Sequence, residues 1–263
     1  MSRWCDLKGI GMENLSRRQF GQGTLASLLT FSLLESLFDC DAFAAEIKPD
    51  VVRWLNRVNE MSQDLRDERL KQLEWQAKIE ELFAQADLPE LMKYVEFEKL
   101  TANLKLADRG EKSLRFNFQA IDGTPQRLVF GKQIFALKKG SSVVPHGHNN
   151  MATAFLILKG QFRGRHYDRI EDQAEHMIIR PTIDRQFGVG ECSTVSDFKD
   201  NVHWFQSVAD EPAFILNIHV LGVNPASKLP TGRVYVDPNG EKLSDGLVRA
   251  RRIKHDEANK LYG

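Results

Sequence analysis

Apolar residues recur every three or four positions before residue 112 and every second position after it, and this change of period limits the chain to a helical lead-in followed by a β domain. In the first part Val51, Trp54, Leu55, Val58, Met61 and Leu65 share one helix face, while Arg53, Arg57, Glu60 and Asp64 fall largely on the other. A second helix is expected from about Arg66 to Gln85. Asp87-Leu88-Pro89-Glu90 reads as a fresh start, with Asp87 as N-cap, Glu90 three residues on and a proline in the first turn; Asp108-Arg109-Gly110 ends that helix. Beyond it Leu114, Phe116, Phe118 and Ala120 alternate up to a turn at Asp122-Gly123. Short strand-like runs follow at 127–138, 152–159, 161–168, 175–180, 202–208, 213–222 and 233–236, each bounded by turn residues, which is the pattern of a sandwich or barrel. The basic run RARRIK at 249–254 has no interleaved aromatic residues and reads as a solvated helix or tail.

Charge bounds the partner. Thirty-six basic and thirty-six acidic residues cancel, so the whole chain carries no bias towards nucleic acid or an anionic membrane, and a small molecule is the expected partner. A hydrophobic fraction of 42% against 27% charged residues suits a globular core, and 263 residues leave the number of domains open.

The N-terminus reads as a processing segment. SRRQF at 16–20 precedes the apolar stretch TLASLLTFSLLESLF, and Ala42-Phe43-Ala44 has the small-x-small pattern of a cleavage site. The order resembles a twin-arginine export signal over residues 1–44, which implies the twin-arginine translocase as a transient partner and a periplasmic or secreted location. A buried amphipathic helix starting near Ser16 is the alternative reading. The run is too short for a bilayer and contains Glu35, so no stable membrane span is expected in the mature form. Met12 is a second plausible start. Cys5 and Cys40 fall in the proposed signal and leave Cys192 alone, without an internal disulfide; Asp39 before Cys40 argues against a lipid anchor.

The chemistry concentrates in PHGHNNMATAFLILKG, residues 145–160. Residues two apart on a strand point the same way, so His146 and His148 present two imidazoles to one point. Neutral imidazole is a good ligand for iron, zinc, copper or nickel. With Gly140 six residues before His146 and Gly160 closing the run, the layout resembles the first motif of the cupin superfamily, with Thr153 at a place often held by glutamate. In DFKDNVHWFQS, His203 matches the histidine of the second motif, with Asp200 and Phe198 where glycine and proline are common. The other reading is a metal-free barrel with these histidines on its rim.

Over about residues 127–225 the chain further resembles the cysteine dioxygenase branch of the cupins: His-Gly-His, a strand ending Leu-Lys-Gly, His203, then FILNIHV at 214–220, behind a helical lead-in ending LMKYVEFEKL. The resemblance implies a mainly β fold, a double-stranded β-helix (jelly-roll) barrel over 111–240, preceded by a helical segment over 45–110 that packs on it and followed by a C-terminal helix or tail over 241–263. It implies His146, His148 and His203 as metal ligands, Fe(II) as the metal with Mn, Ni, Zn or Cu as alternatives, His219 as a catalytic histidine beyond the ligands, and Arg127 as the arginine that grips a substrate carboxylate. Thr153 also stands where some members carry a crosslinked cysteine, and Leu221 stands at the place of the family's catalytic tyrosine. Homodimers are common in the superfamily.

Three neutral ligands leave a divalent ion its full charge, which favours an anionic donor such as a thiolate, carboxylate or enediolate. The function expected is therefore an exported, metal-dependent cupin, an iron dioxygenase of a small anionic substrate with a thiol as leading case. The alternatives are a non-catalytic binding or sensing cupin, and an oxygen-independent isomerase or hydrolase. Export in the folded state would let iron or manganese be loaded before the site meets copper and zinc. Among other residues, Arg163 and Arg165 share one strand face and read as an exposed cationic surface. Asn217 and His219 read as pocket residues. Cys192 reads as a buried small hydrophobe, and His166, His176 and His255 as surface residues.

Overall fold

The computed structural model of the protein describes residues 51–120 and 122–263; the proposed signal over residues 1–44 lies outside them. Among the described residues no helix is long and apolar enough to cross a membrane.

Four helices lead in. Helix α1 (Val51–Arg66) buries the expected face, Trp54, Leu55, Val58, Met61 and Leu65. Helix α2 (Gln72–Ala84) starts six residues later than the sequence suggests, because Glu68 takes a left-handed backbone conformation (φ 59°) and Lys71 N–H is capped by the Glu74 carboxylate at 3.1 Å. Helix α3 (Leu88–Tyr94) has Asp87 as its N-cap, accepting from Glu90 N–H. It does not run on to residue 107: Glu96 turns left-handed and a short α4 (Phe97–Thr101) follows.

Eleven strands build the β domain: β1 (Lys112–Leu114), β2 (Gly131–Leu137), β3 (Ser142–Asn149), β4 (Met151–Lys159), β5 (Phe162–Asp172), β6 (His176–Phe187), β7 (Cys192–Val195), β8 (Val202–Ser207), β9 (Ala213–Leu221), β10 (Gly232–Lys242) and β11 (Val248–Arg252), followed by helix α5 (His255–Tyr262). One sheet has the order β1-β2-β9-β4-β7; the other, β10-β11-β6-β5-β8-β3, closes through pairing of β3 with β10. The fold is mainly β, a five-stranded sheet and a closed six-stranded one behind a helical segment.

The five-stranded sheet is buried on both faces, which explains its near-continuous apolar runs. Ile134, Ala136, Leu156, Leu216 and Ile218 pack against Trp54, Trp75 and Phe83 of the helices. The intervening Phe135, Leu137, Phe155, Ile157 and Ile215 face Phe162, Phe187 and Phe205 of the closing sheet. Polar contacts also tie helix to sheet: Gln76 donates to Thr194 and accepts from Ser196, and Gln72 donates to Asp197 at 3.0 Å.

Two local expectations are corrected. RARRIK is not a solvated helix or tail at its start, because residues 249–252 belong to β11, with Val248 and Ala250 buried and Arg249 and Arg251 paired outward to Glu241 and Glu257. The alternation from Leu114 to Ala120 yields a strand only as far as Leu114; beyond it Phe118 packs on Tyr94 at 5.1 Å and Gln119 N–H donates to the Tyr94 carbonyl.

Candidate metal centre

The antiparallel register of β3 and β8 sets His146 opposite His203, and His148 follows two places along the same face. Their three ring nitrogens, one from each histidine, lie within 4.8 Å of one another, and each residue is 1% exposed. Gly147 separates the two β3 histidines because a Cβ there would stand 2.7 Å from Asn201 Oδ1. Asn201 in turn donates to the His148 carbonyl at 2.7 Å and to the Ser196 carbonyl at 2.9 Å. The second asparagine of His-Asn-Asn, Asn150, makes the turn into β4 in a left-handed conformation (φ 52°), and its N–H donates to Asp197.

The hydrogen bonds leave the ligand atoms bare. His146 Nδ1–H donates to the Val144 carbonyl at 2.7 Å, which places the lone pair on Nε2. His148 Nδ1 lies 3.1 Å from Thr153 Oγ1, and with the threonine accepting, its Nε2 is bare as well. The buried Nε2 atoms of His146 and His148 and both ring nitrogens of His203 have no partner. Burial above all, and then the Arg233 charge or neighbouring imidazoles, holds all three rings well below the ordinary imidazole range, so they are neutral at pH 7. Buried, unpartnered, convergent and neutral nitrogens are what a divalent transition metal requires. These residues fit the group.

Beside His148 opens a recess of about 280 Å³. His148, Thr153, Gln133, Asn217, His219, Met151, Leu221 and Arg233 line it. His219 Nδ1 pairs with Asn217 Oδ1 at 3.1 Å, and burial followed by the Arg233 charge lowers its pKa. Leu221 is 47% exposed on the rim, opposite Met151.

The structure gathers His146, His148, His203 and His219 but not Arg127. Arg127 is exposed in the segment before β2, where its carbonyl accepts from Asn59 and it borders a separate hollow with Phe118 and Lys132. The arginine at the recess is Arg233, which the β3–β10 register sets opposite His148. His166 is not a surface residue. It is fully buried, opposite His203 in the β5–β8 register, stacked on Phe187 with ring centroids 6.1 Å apart, and burial foremost pushes its pKa down to about 3. Of the remaining residues, Arg163 is exposed and bidentate to Asp184, Arg165 stacks on Trp204 at 4.0 Å, His176 is half-buried and His255 exposed. Cys192 is half-buried, its thiol pushed up to about 11 by burial and then by Glu80.

No family model matches the chain, and no curated protein matches it. Among solved structures it is similar to a conserved protein with a double-stranded β-helix domain from Klebsiella pneumoniae, at 9% identity over 47% of this chain and 87% of that one, with a TM-score of 0.33. It is similar also to a cupin superfamily protein from Desulfitobacterium hafniense, at 14% identity over 46% of this chain and 87% of that one, TM-score 0.30. A predicted oxalate decarboxylase from Thermotoga maritima aligns at 19% identity over 36% of this chain and 66% of that one, TM-score 0.27. The three histidines that β3 and β8 bring together form a group that could hold a metal ion.

Proposed function

We propose that this protein is a mononuclear metalloenzyme, with an Fe(II)-dependent dioxygenase of a small anionic substrate as the leading case and a thiol as the first candidate. The single observation that carries the reading is the convergence of three buried imidazoles whose inward nitrogens have no partner. His146, His148 and His203 would hold the metal, which supplies a Lewis-acidic centre able to bring an anion and dioxygen together. The chain's own groups do the rest. Thr153 holds the His148 tautomer, Val144 that of His146, and Asn201 ties down the His148 carbonyl. His219, neutral and fixed by Asn217, stands in the recess wall where it can accept or donate one hydrogen bond to a bound molecule. Export by the twin-arginine route, and hence a periplasmic or secreted location, belongs to the same proposal and rests on the pattern of residues 16–44.

Elemental analysis of the purified, folded protein beside a His203→Ala variant tests the centre. Near-stoichiometric iron that is lost in the variant, together with oxygen uptake on a panel of thiols, catechols and diketones, is the expected result. Turnover without oxygen would move the assignment to a metal-dependent isomerase or hydrolase. Leu221 on the rim, in the place where the resemblance implies a tyrosine, favours a second reading, a non-catalytic binding or sensing cupin. That reading would be supported by a retained small molecule and no turnover.

A further inference from the structure

Lys132 breaks an apolar row. Phe130, Lys132, Ile134 and Ala136 take alternate places along β2 and the residue before it, and all but the lysine are buried in the core shared with the helical segment. The intervening Gly131 and Gln133 turn the other way, towards His219 and the recess. The lysine thus puts a charge on the covered face of the sheet, where burial lowers its pKa and no carboxylate among the described residues raises it again. Its ammonium lies 5.4 Å from the Phe116 ring centroid and 5.7 Å from that of Phe118, and it reaches the neutral Asn117 Oδ1 only at 3.5 Å, a long contact. A hollow of about 680 Å³ opens beside it, within the size range of small-molecule sites. Phe118, Leu128, Phe130 and Arg127 line it together with Lys132, and no acidic residue does. Phe118 is fixed there by Tyr94 and Phe116, at ring centroid distances of 5.1 and 5.3 Å.

We infer that this hollow is a binding site of its own for a planar aromatic carboxylate, whose anion meets Lys132 and whose ring packs on Phe118 and Phe130. An ammonium has three N–H donors, and here one long contact serves them. A carboxylate in the hollow fills the rest and cancels a charge that the apolar face opposes. A lining with two cations and no acid selects anions over cations, and a single half-buried ammonium suits one negative charge better than two. The phenyl rings reward a flat ligand, which they take offset or edge-on. The site uses none of the three candidate metal ligands, so it stands or falls apart from the metalloenzyme reading.

The test uses the full chain and naphthoate as probe, titrated by calorimetry and by amide chemical shifts. Naphthamide lacks the charge and should bind at least about tenfold more weakly. Decahydronaphthoate lacks the aromatic ring and should bind roughly three- to tenfold more weakly. Shifts caused by naphthoate should centre on Asn117, Leu128 and Lys132. Lys132→Met should weaken naphthoate at least about tenfold, the loss expected for a charged hydrogen-bonded contact, while thermal stability holds or rises, because a half-buried charge leaves an apolar row. Arg127→Gln should cost only about two- to threefold, as a surface charge does. Naphthoate binding that survives Lys132→Met, shifts centred on His148 and His219, or equal affinity for the three probes would overturn the inference. A Lys132→Met protein that unfolds at a markedly lower temperature would assign the lysine to the fold, through its contacts with the rings, and overturn it as well.

Discussion

Gly131 lies directly across from His219 in the β2–β9 register, and the imidazole fills the space where a side chain at 131 would begin: a Cβ there would stand 2.1 Å from His219 Nε2. Replacing Gly131 with alanine forces the ring out of the recess wall and is expected to cost about 1–3 kcal/mol of stability, as overpacking does. Adding His219→Ala to that variant removes the clash and should restore most of the loss. Chemical denaturation of the single and double variants measures this; a double variant no more stable than Gly131→Ala would place the strain elsewhere.

Thr153 meets His148 from the neighbouring sheet, 3.1 Å from Nδ1. Thr153→Val keeps the shape and deletes the acceptor, so metal affinity should drop roughly 10- to 100-fold while the fold stays intact. Thr153→Ser should retain affinity. Competition with a chelator of known strength reads both. Equal affinity in the valine variant would remove the threonine from the support of the centre.

His166 predicts a pH dependence. Its pKa is about 3 in the folded protein and about 6.5 as the ordinary value, so below pH 6.5 the unfolded chain takes up a proton that the folded chain refuses. The stability it lends is complete above pH 6.5 and is lost progressively as pH falls towards 3, at about 1.4 kcal/mol per pH unit. Histidines 146, 148 and 203 shift in the same direction in the metal-free protein. His166→Leu should therefore flatten the acid limb by one proton without abolishing it. Urea titrations at stepped pH give the slope, and an unchanged slope would show that His166 already ionises in the folded state.

Asp197 joins the helical segment to the ligand turn, accepting from Gln72 Nε2 at 3.0 Å and from Asn150 N–H at 2.9 Å. Asp197→Ala leaves both donors unpaired and is expected to destabilise the protein by about 1–3 kcal/mol. Hydrogen exchange should quicken at Asn150 more than at Ile215 in the core. Uniform quickening would mean that the contact supports the whole fold and not this turn.

Much of this was legible in the sequence where a residue's role is local. The apolar face of α1, the Asp87 cap and the pairing of His146 with His148 follow from spacing alone, because periodicity decides which side chains share a face. The burial of His166 is legible too: Phe162, Gly164 and His166 take alternate places on β5, so the face that buries Phe162 must bury the histidine, while Arg163 and Arg165 take the other face. Arg233 gave no such signal. Its position at the recess depends on β10 pairing with β3, a register between segments some eighty residues apart that no local pattern encodes. For the same reason β11 could not be read from its basic residues; only the closing sheet buries Val248 and Ala250.

The pairing of His146 with His203 has a consequence in time. The two residues lie 203 − 146 = 57 positions apart and meet only when β3 and β8 have zipped together. An unfolded chain cannot offer this centre, so occupancy would report a completed topology, and a bound ion would act as a rivet across a non-local ladder that is slow to form. Such a rivet adds little to how fast the chain folds and much to how long it stays folded, because it engages after the rate-limiting step and must let go before the ladder opens.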